Sequence, residues 1–273
     1  MSQLLLDKFI LFGDSITQFS SDVSEGFALQ PQLQHLYVRK LDVINRGYSG
    51  YNSEQARLIL PKILNAELNK EKSNVKLITI FFGTNDSVQF DDEFNDIQAV
   101  PIDRYKDNLD FLINLSLEAN IKPIIIGTGL HDSKLAKEFF ESGGRIMSKD
   151  PLSNSRNHEY SKAAEEIANK NKVAFVNLFE DFAKYGNLSI EKLYNSYSYT
   201  PDKEYTSAKE FVKDGLHFTP IGYKVLYESV VKAINNTYPE LNADALPLSL
   251  SDWKDLDPKN LESTIFRPGD LKN

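Results

Sequence analysis

A serine hydroxyl is too weakly acidic to attack anything at neutral pH unless a base takes its proton. Ser15, in the stretch "FILFGDSITQF", is therefore a candidate nucleophile only if such a base stands beside it. His217, in "KDGLHFTPIGY", is the natural partner, and Asp214 on the same stretch can reach the ring nitrogen that faces away from the serine. That contact would fix the imidazole tautomer and stabilise the imidazolium formed during attack. The order Ser15, Asp214, His217 is that of many α/β esterases, although the GxSxG elbow of those enzymes is missing. The chemistry implied is acyl transfer through a different serine-hydrolase geometry. Such a reaction also needs donors where negative charge develops on the carbonyl oxygen. Three candidates for this oxyanion hole are the backbone N–H of Ser15, the backbone N–H of Gly50 in "NRGYSGYNS", and the side-chain amide of Asn85 in "FFGTNDS". Glycine at position 50 lets the backbone approach a substrate closely.

Taken singly, each stretch has an ordinary explanation. Gly, Asp and Ser are good turn formers, "GTND" is a good turn, and a lone DxxH is a common helix start. Asp14 is expected to be structural, its carboxylate accepting local N–H groups to hold the turn. Jointly the stretches are harder to dismiss, because the elements around them would gather them at one edge of a sheet.

Those elements alternate. Near-continuous apolar runs at Lys8 to Phe12, Asp42 to Arg46, Val75 to Phe82, Ile121 to Gly127 and Lys172 to Asn177 read as parallel strands covered on both faces. Between them, Ala56, Leu60, Ile63 and Leu64 mark one helical face, with a kink expected at Pro61, and Tyr105, Leu109, Leu112 and Ser116 mark another. Five strands with helical crossovers predict a three-layer α/β/α fold with a five-stranded, parallel, doubly wound sheet of flavodoxin-like order. Right-handed crossovers put every strand's C-terminal end on one edge, where ligands of such sheets bind. Thr219 as N-cap and Pro220 at the first helical position give His217 a rigid ledge.

Two stretches fit the alternation poorly, 131–160 and the tyrosine-rich 185–211, and are expected as insertions at the ligand edge. Residues 1–237 are expected to form the catalytic domain. The aperiodic tail 238–273 is expected as an extension wrapping on it, anchored by Trp253 and frayed at its end.

Composition narrows the function classes. With 41% hydrophobic and 26% charged residues, the chain reads as an ordinary folded protein rather than a disordered one. A net charge of −8 without a cationic block argues against a nucleic-acid partner. The absence of cysteine removes disulfides, cysteine nucleophiles and thiolate metal sites. His35, His131 and His158 lack a carboxylate at ligand spacing, so no metal site is expected. No stretch approaches the roughly 18 apolar residues of a membrane span. The N-terminal Leu4 to Leu6 run is broken by Asp7 and Lys8, with no cleavage pattern after it, so the cytoplasm is the expected compartment. Homo-oligomerisation stays open.

The four stretches "FGDSIT", "NRGYSGYNS", "FFGTNDS" and "KDGLHFTPIGY", in that order, resemble the blocks of the GDSL, or SGNH, hydrolase family. Ile16 stands where the family usually has leucine. Within it, "YVRKLDVINRGYSGYNSEQA", "KPIIIGTGL" and "LSDWKDL" are similar to fungal isoamyl acetate-hydrolysing esterases. The resemblance implies an α/β/α fold and a cytoplasmic esterase acting on short acetate esters through an acyl-serine intermediate. It implies a small-molecule ester substrate and neither metal nor organic cofactor. A lysophospholipase, thioesterase or carbohydrate acetylesterase using the same site is the alternative. A phosphate- or nucleotide-binding module is disfavoured by the lack of any GxGxxG or GxxxxGK string.

Overall fold

The computed structural model describes residues 5–68, 73–89, 97–144, 150–195 and 205–266. Five strands form one sheet: β1 Asp7–Gly13, β2 Leu41–Gly47, β3 Val75–Phe81, β4 Lys122–Ile126 and β5 Ala174–Val176. All neighbours pair in parallel, in the order β2-β1-β3-β4-β5. The strands lie within about two residues of the apolar runs that predict them, an offset normal at strand ends. In chain order the helices are α1 Ser15–Gln18, α2 Leu29–Leu36, α3 Ser53–Glu67, α4 Ile102–Glu118, α5 Ser133–Ser142, α6 Asn154–Asn171, α7 Leu178–Tyr185, α8 Ile190–Asn195, α9 Pro220–Thr237 and α10 Leu261–Ile265.

Successive strand residues point to opposite faces, so one strand feeds two cores. On β1, Phe9 and Leu11 join the core under α2, α7 and α9. Ile10 and Phe12 join the core under α3, α4 and α6. All four are almost fully buried, which is why the strand reads as continuously apolar rather than alternating. The helical faces marked in the sequence are the buried ones, Ala56, Leu60, Ile63 and Leu64 on α3 and Tyr105, Leu109, Leu112 and Ser116 on α4. α3 runs from Ser53 to Glu67 with Pro61 inside it.

Both irregular stretches contain helices. The first contains α5 and the start of α6, and the second contains α8. Its tyrosine-rich centre, 196–204, lies outside the described residues, as do 145–149 and the tail end 267–273. Trp253 does not anchor the tail, since 75% of it is exposed. Buried Leu241 and Ala243 hold the tail, together with polar contacts to its main chain. The Tyr37 hydroxyl donates to Leu241 O at 2.9 Å, and the Arg39 guanidinium donates to the carbonyls of Ser249, Leu250 and Ser251.

Strand register brings the site edge together. Gly13 at the end of β1 pairs with Gly47 on β2 and with Phe81 on β3, so the three following turns leave the sheet side by side.

Candidate active site

Ser15 opens α1 directly after β1 and is 5% exposed. Asp14 caps that helix, its Oδ1 accepting the Ile16 N–H at 2.9 Å. Burial pushes the Asp14 carboxyl up to about 7, against the lowering pull of that hydrogen bond and of His217. From the opposite side the Tyr223 hydroxyl of α9 donates to Ile16 O at 2.7 Å. The nucleophile candidate therefore stands on a turn fixed at both ends.

His217 comes from the segment before α9. An antiparallel bridge pairs Val212 with Phe218, and Lys213 N donates to His217 O at 2.9 Å, closing a tight turn around residues 214–216. Thr219 caps α9 by accepting the Gly222 N–H, and Pro220 occupies its first turn. The His217 Nε2 lies 2.9 Å from Ser15 Oγ, and its Nδ1 lies 2.7 Å from Asp214 Oδ2. The other carboxylate oxygen, Oδ1, accepts the backbone N–H groups of Leu216 at 3.0 Å and His217 at 2.8 Å. Burial alone would raise the Asp214 carboxyl, but the His217 ring and these two N–H groups outweigh it and hold it below the usual carboxylate range. An ionised Asp214 obliges His217 to carry its proton on Nδ1, which leaves Nε2 free to accept from the serine. The Phe19 ring packs edge-on against His217, with centroids 5.1 Å apart.

The three oxyanion donors predicted from sequence lie on segments bonded to one another. The turn after β2 carries Gly50, with φ +79°. That turn is tied to the serine turn through Tyr48 N to Gly13 O at 2.9 Å and Ser49 N to Gln18 Oε1 at 2.9 Å. Asn85, in the turn after β3, donates one amide hydrogen to Tyr51 O at 2.8 Å. That bond uses one of its two amide hydrogens.

Behind these donors stand residues that the sequence analysis did not single out. Asn52 caps α3, and its amide also donates to the carbonyls of Ile97 and Gln98. Its spacing to Gln55 is that of a capping box, a signal that was there to be read. Asp86 is fully buried and accepts the Ser53 N–H with both oxygens, at 3.0 and 3.2 Å. Burial pushes its carboxyl up to about 7 against those bonds. Within "GTND" it looks like any turn aspartate, and only the fold shows that it is buried.

A serine, an imidazole and a carboxylate in hydrogen-bonded series, beside a glycine turn and a carboxamide, can carry out acyl transfer. The comparisons with known proteins agree. The model of the GDSL-like Lipase/Acylhydrolase family matches residues 11–225. The isoamyl acetate-hydrolyzing esterase of Saccharomyces cerevisiae is 33% identical over 256 residues, 92% of this chain and 95% of that protein. The isoamyl acetate-hydrolyzing esterase 1 homolog of Rattus norvegicus is 30% identical, covering 98% of this chain and 96% of its own. Among solved structures, Axe2, an acetylxylan esterase from Geobacillus stearothermophilus, superimposes with a TM-score of 0.59 at 18% identity, covering 86% of this chain and 96% of that one. A match across all four site segments, together with relatives that align over nearly their whole length, makes this chain a member of the GDSL-like lipase/acylhydrolase family.

Proposed function

We propose that the protein is a serine esterase that hydrolyses short-chain, acetate-type carboxylic esters through an acyl-serine intermediate. The observation that carries this reading is the unbroken series from Ser15 Oγ through the His217 ring to Asp214. Ser15 Oγ attacks the ester carbonyl while His217 Nε2 takes the hydroxyl proton. Asp214 steadies the resulting imidazolium. The N–H groups of Ser15 and Gly50 and the Asn85 amide receive the negative charge on the carbonyl oxygen. His217 then returns the proton to the alcohol oxygen as the carbon–oxygen bond breaks. In the second half, water attacks the acyl-serine and gives a proton to His217, which passes it to Ser15 Oγ as the carboxylic acid leaves. Every step uses groups of the chain itself.

Short acetate esters are the substrates we favour because the Saccharomyces cerevisiae and Rattus norvegicus relatives carry isoamyl acetate hydrolysis in their names. We take residues 1–237 as the catalytic domain and 238–273 as an extension packed on it, supported by the Tyr37 and Arg39 contacts to the tail. Among the described residues no helix is long and apolar enough to cross a membrane. We place the protein in the cytoplasm on the strength of the family resemblance, and the net charge of −8 supports the absence of a nucleic-acid partner.

The test is release of p-nitrophenol from its acetate by wild type and by Ser15→Ala. A loss of at least about 10³-fold is expected, since removing a nucleophile that acts as a unit with its base costs nearly the whole machinery. Equal rates would overturn the reading. An ester panel of rising acyl length, with a lysophospholipid, a thioester and an acetylated sugar, then assigns the substrate; fastest turnover on any of these last three would replace the acetate-ester assignment.

A further inference from the structure

Outside this series the chain holds a second buried imidazole–carboxylate pair. His131 and Asp150 are each 3% exposed, and His131 Nε2 lies 2.6 Å from Asp150 Oδ2. The other ring nitrogen, Nδ1, lies 2.7 Å from the carbonyl oxygen of Gly215, the residue that follows Asp214 on the way to His217. The Asp132 N–H donates to the same carbonyl at 3.0 Å. We propose that His131 is a positioning residue, whose Nδ1–H, backed by Asp150, grips the Gly215 carbonyl and fixes the turn carrying Asp214 and His217. The proposal rests on the acyl-transfer reading above.

Donor and acceptor chemistry sets the direction of these bonds. A carbonyl oxygen can only accept, so Nδ1 must carry a hydrogen. A carboxyl oxygen at 2.6 Å from Nε2 leaves room for a proton between them, whereas two lone pairs facing each other would repel. Both ring nitrogens of His131 thus face oxygen atoms, with the Nδ1 side donating to the Gly215 carbonyl.

Both ends of the clamp are fixed. Asn154 grips the His131 backbone in both directions, accepting its N–H at 2.8 Å and donating to its carbonyl at 2.8 Å. Asp150 Oδ1 accepts the Leu152 N–H at 3.0 Å. On the gripped side Gly215 has φ +88°, and a Cβ there would lie 2.6 Å from both Ala136 N and Asp132 O. Only glycine lets the turn seat this deeply. The clamp thus joins the segment after β4 to the two residues whose spacing sets the proton path.

His131→Leu removes the donor at similar size, while His131→Asn keeps an amide N–H close to the Nδ1 position. In His131→Leu, kcat should fall at least about tenfold, toward the 100-fold that a misplacement of about 1 Å can cost, with KM changing less than about twofold. His131→Asn should recover most of the loss. An unchanged kcat in folded His131→Leu, or an asparagine variant no better than leucine, would overturn the proposal. Two NMR readouts stand apart from activity. In the wild-type chain, ¹⁵N-labelled His131 should carry its proton on Nδ1, and an unprotonated Nδ1 would overturn the proposal even if no variant folds. The downfield proton between His217 and Asp214 should persist in His131→Asn and broaden in His131→Leu; persistence in both would also overturn it. If Ser15→Ala stays active, the catalytic reading fails while these proton signals still judge the clamp.

Discussion

Replacing Asp214 by asparagine should cost more activity than deleting its side chain, for a reason contained in four distances. One carboxylate oxygen accepts two backbone N–H groups, from Leu216 at 3.0 Å and His217 at 2.8 Å. The other sits 2.7 Å from His217 Nδ1, and His217 Nε2 sits 2.9 Å from Ser15 Oγ. An amide introduced by Asp214→Asn must turn its oxygen toward the two N–H groups, since its NH2 would oppose two donors there. Its NH2 then points at Nδ1 and donates to it. That contact holds the neutral ring with its proton on Nε2, where it donates to Ser15 instead of accepting from it. The base is disabled without any change of shape. A wrong tautomer of this kind costs about 10⁴ in kcat, or about 5 kcal/mol of transition-state stabilisation.

Asp214→Ala removes the anion but leaves the Nδ1 side open, so both tautomers stay accessible and a smaller loss is expected. The assay is kcat on p-nitrophenyl acetate for the two variants, with thermal melts to verify folding. Asp214→Asn within about tenfold of wild type, or more active than Asp214→Ala, would refute the tautomer reasoning.

Two further outcomes follow from the same geometry. Asn85→Ala removes the side-chain donor and should lower kcat by the equivalent of about 3 to 4 kcal/mol with little effect on KM; steady-state kinetics check it, and a change confined to KM would show that Asn85 binds ground state and transition state alike. Asp14 and Asp86, both lifted to about 7 by burial from the ordinary 3.8, make folding pH-dependent. Between those values the folded chain holds protons that the unfolded chain has released, so raising the pH through this window favours unfolding. Their stabilising contribution is complete below about pH 4 and lost above about pH 7. Asp214, held low, acts in the opposite sense and only at more acid pH. The urea midpoint should therefore fall from pH 5 to pH 8, and fall less in Asp86→Asn, which removes one of the two carboxyls and relieves the other. Parallel slopes in the two proteins would contradict the assignment.

The sheet was legible because parallel strands bury both faces. Runs such as "KFILF" and "KLITIFF" have no other economical reading in a chain of this composition. Ser15, Gly50 and Asn85 were legible because they lie in the turns after β1, β2 and β3, and Asp214 and His217 because they stand just before the capped start of α9. What escaped notice depends on partners far away in sequence. Trp253 promised an anchor by its size, yet it lies exposed, and the tail is held by buried Leu241 and Ala243 and through main-chain carbonyls at Leu241 and Ser249 to Ser251, which carry no residue-type signal. Pro61 lies inside α3, where burial of Leu60, Ile63 and Leu64 on one side outweighs the hydrogen bond a proline cannot donate.

The two histidine–carboxylate pairs show most directly where residue types stop being informative. The tripeptide Gly-Leu-His occurs twice, at 129–131 and at 215–217, each time with an aspartate close by. Asp132 adjoins His131 in sequence but spends its carboxylate on the Ser207 hydroxyl and the Ala208 N–H, so the partner of His131 is Asp150. With a carbonyl on one ring nitrogen and a carboxyl on the other, His131 has no lone pair to offer a hydroxyl. His217 has a carboxylate on Nδ1 and a serine hydroxyl on Nε2, an arrangement that keeps one lone pair open. A general base needs that open lone pair. The choice between two identical tripeptides is thus made by the atoms the fold sets against each nitrogen, which on the proposals above gives proton transfer to His217 and the holding of its turn to His131.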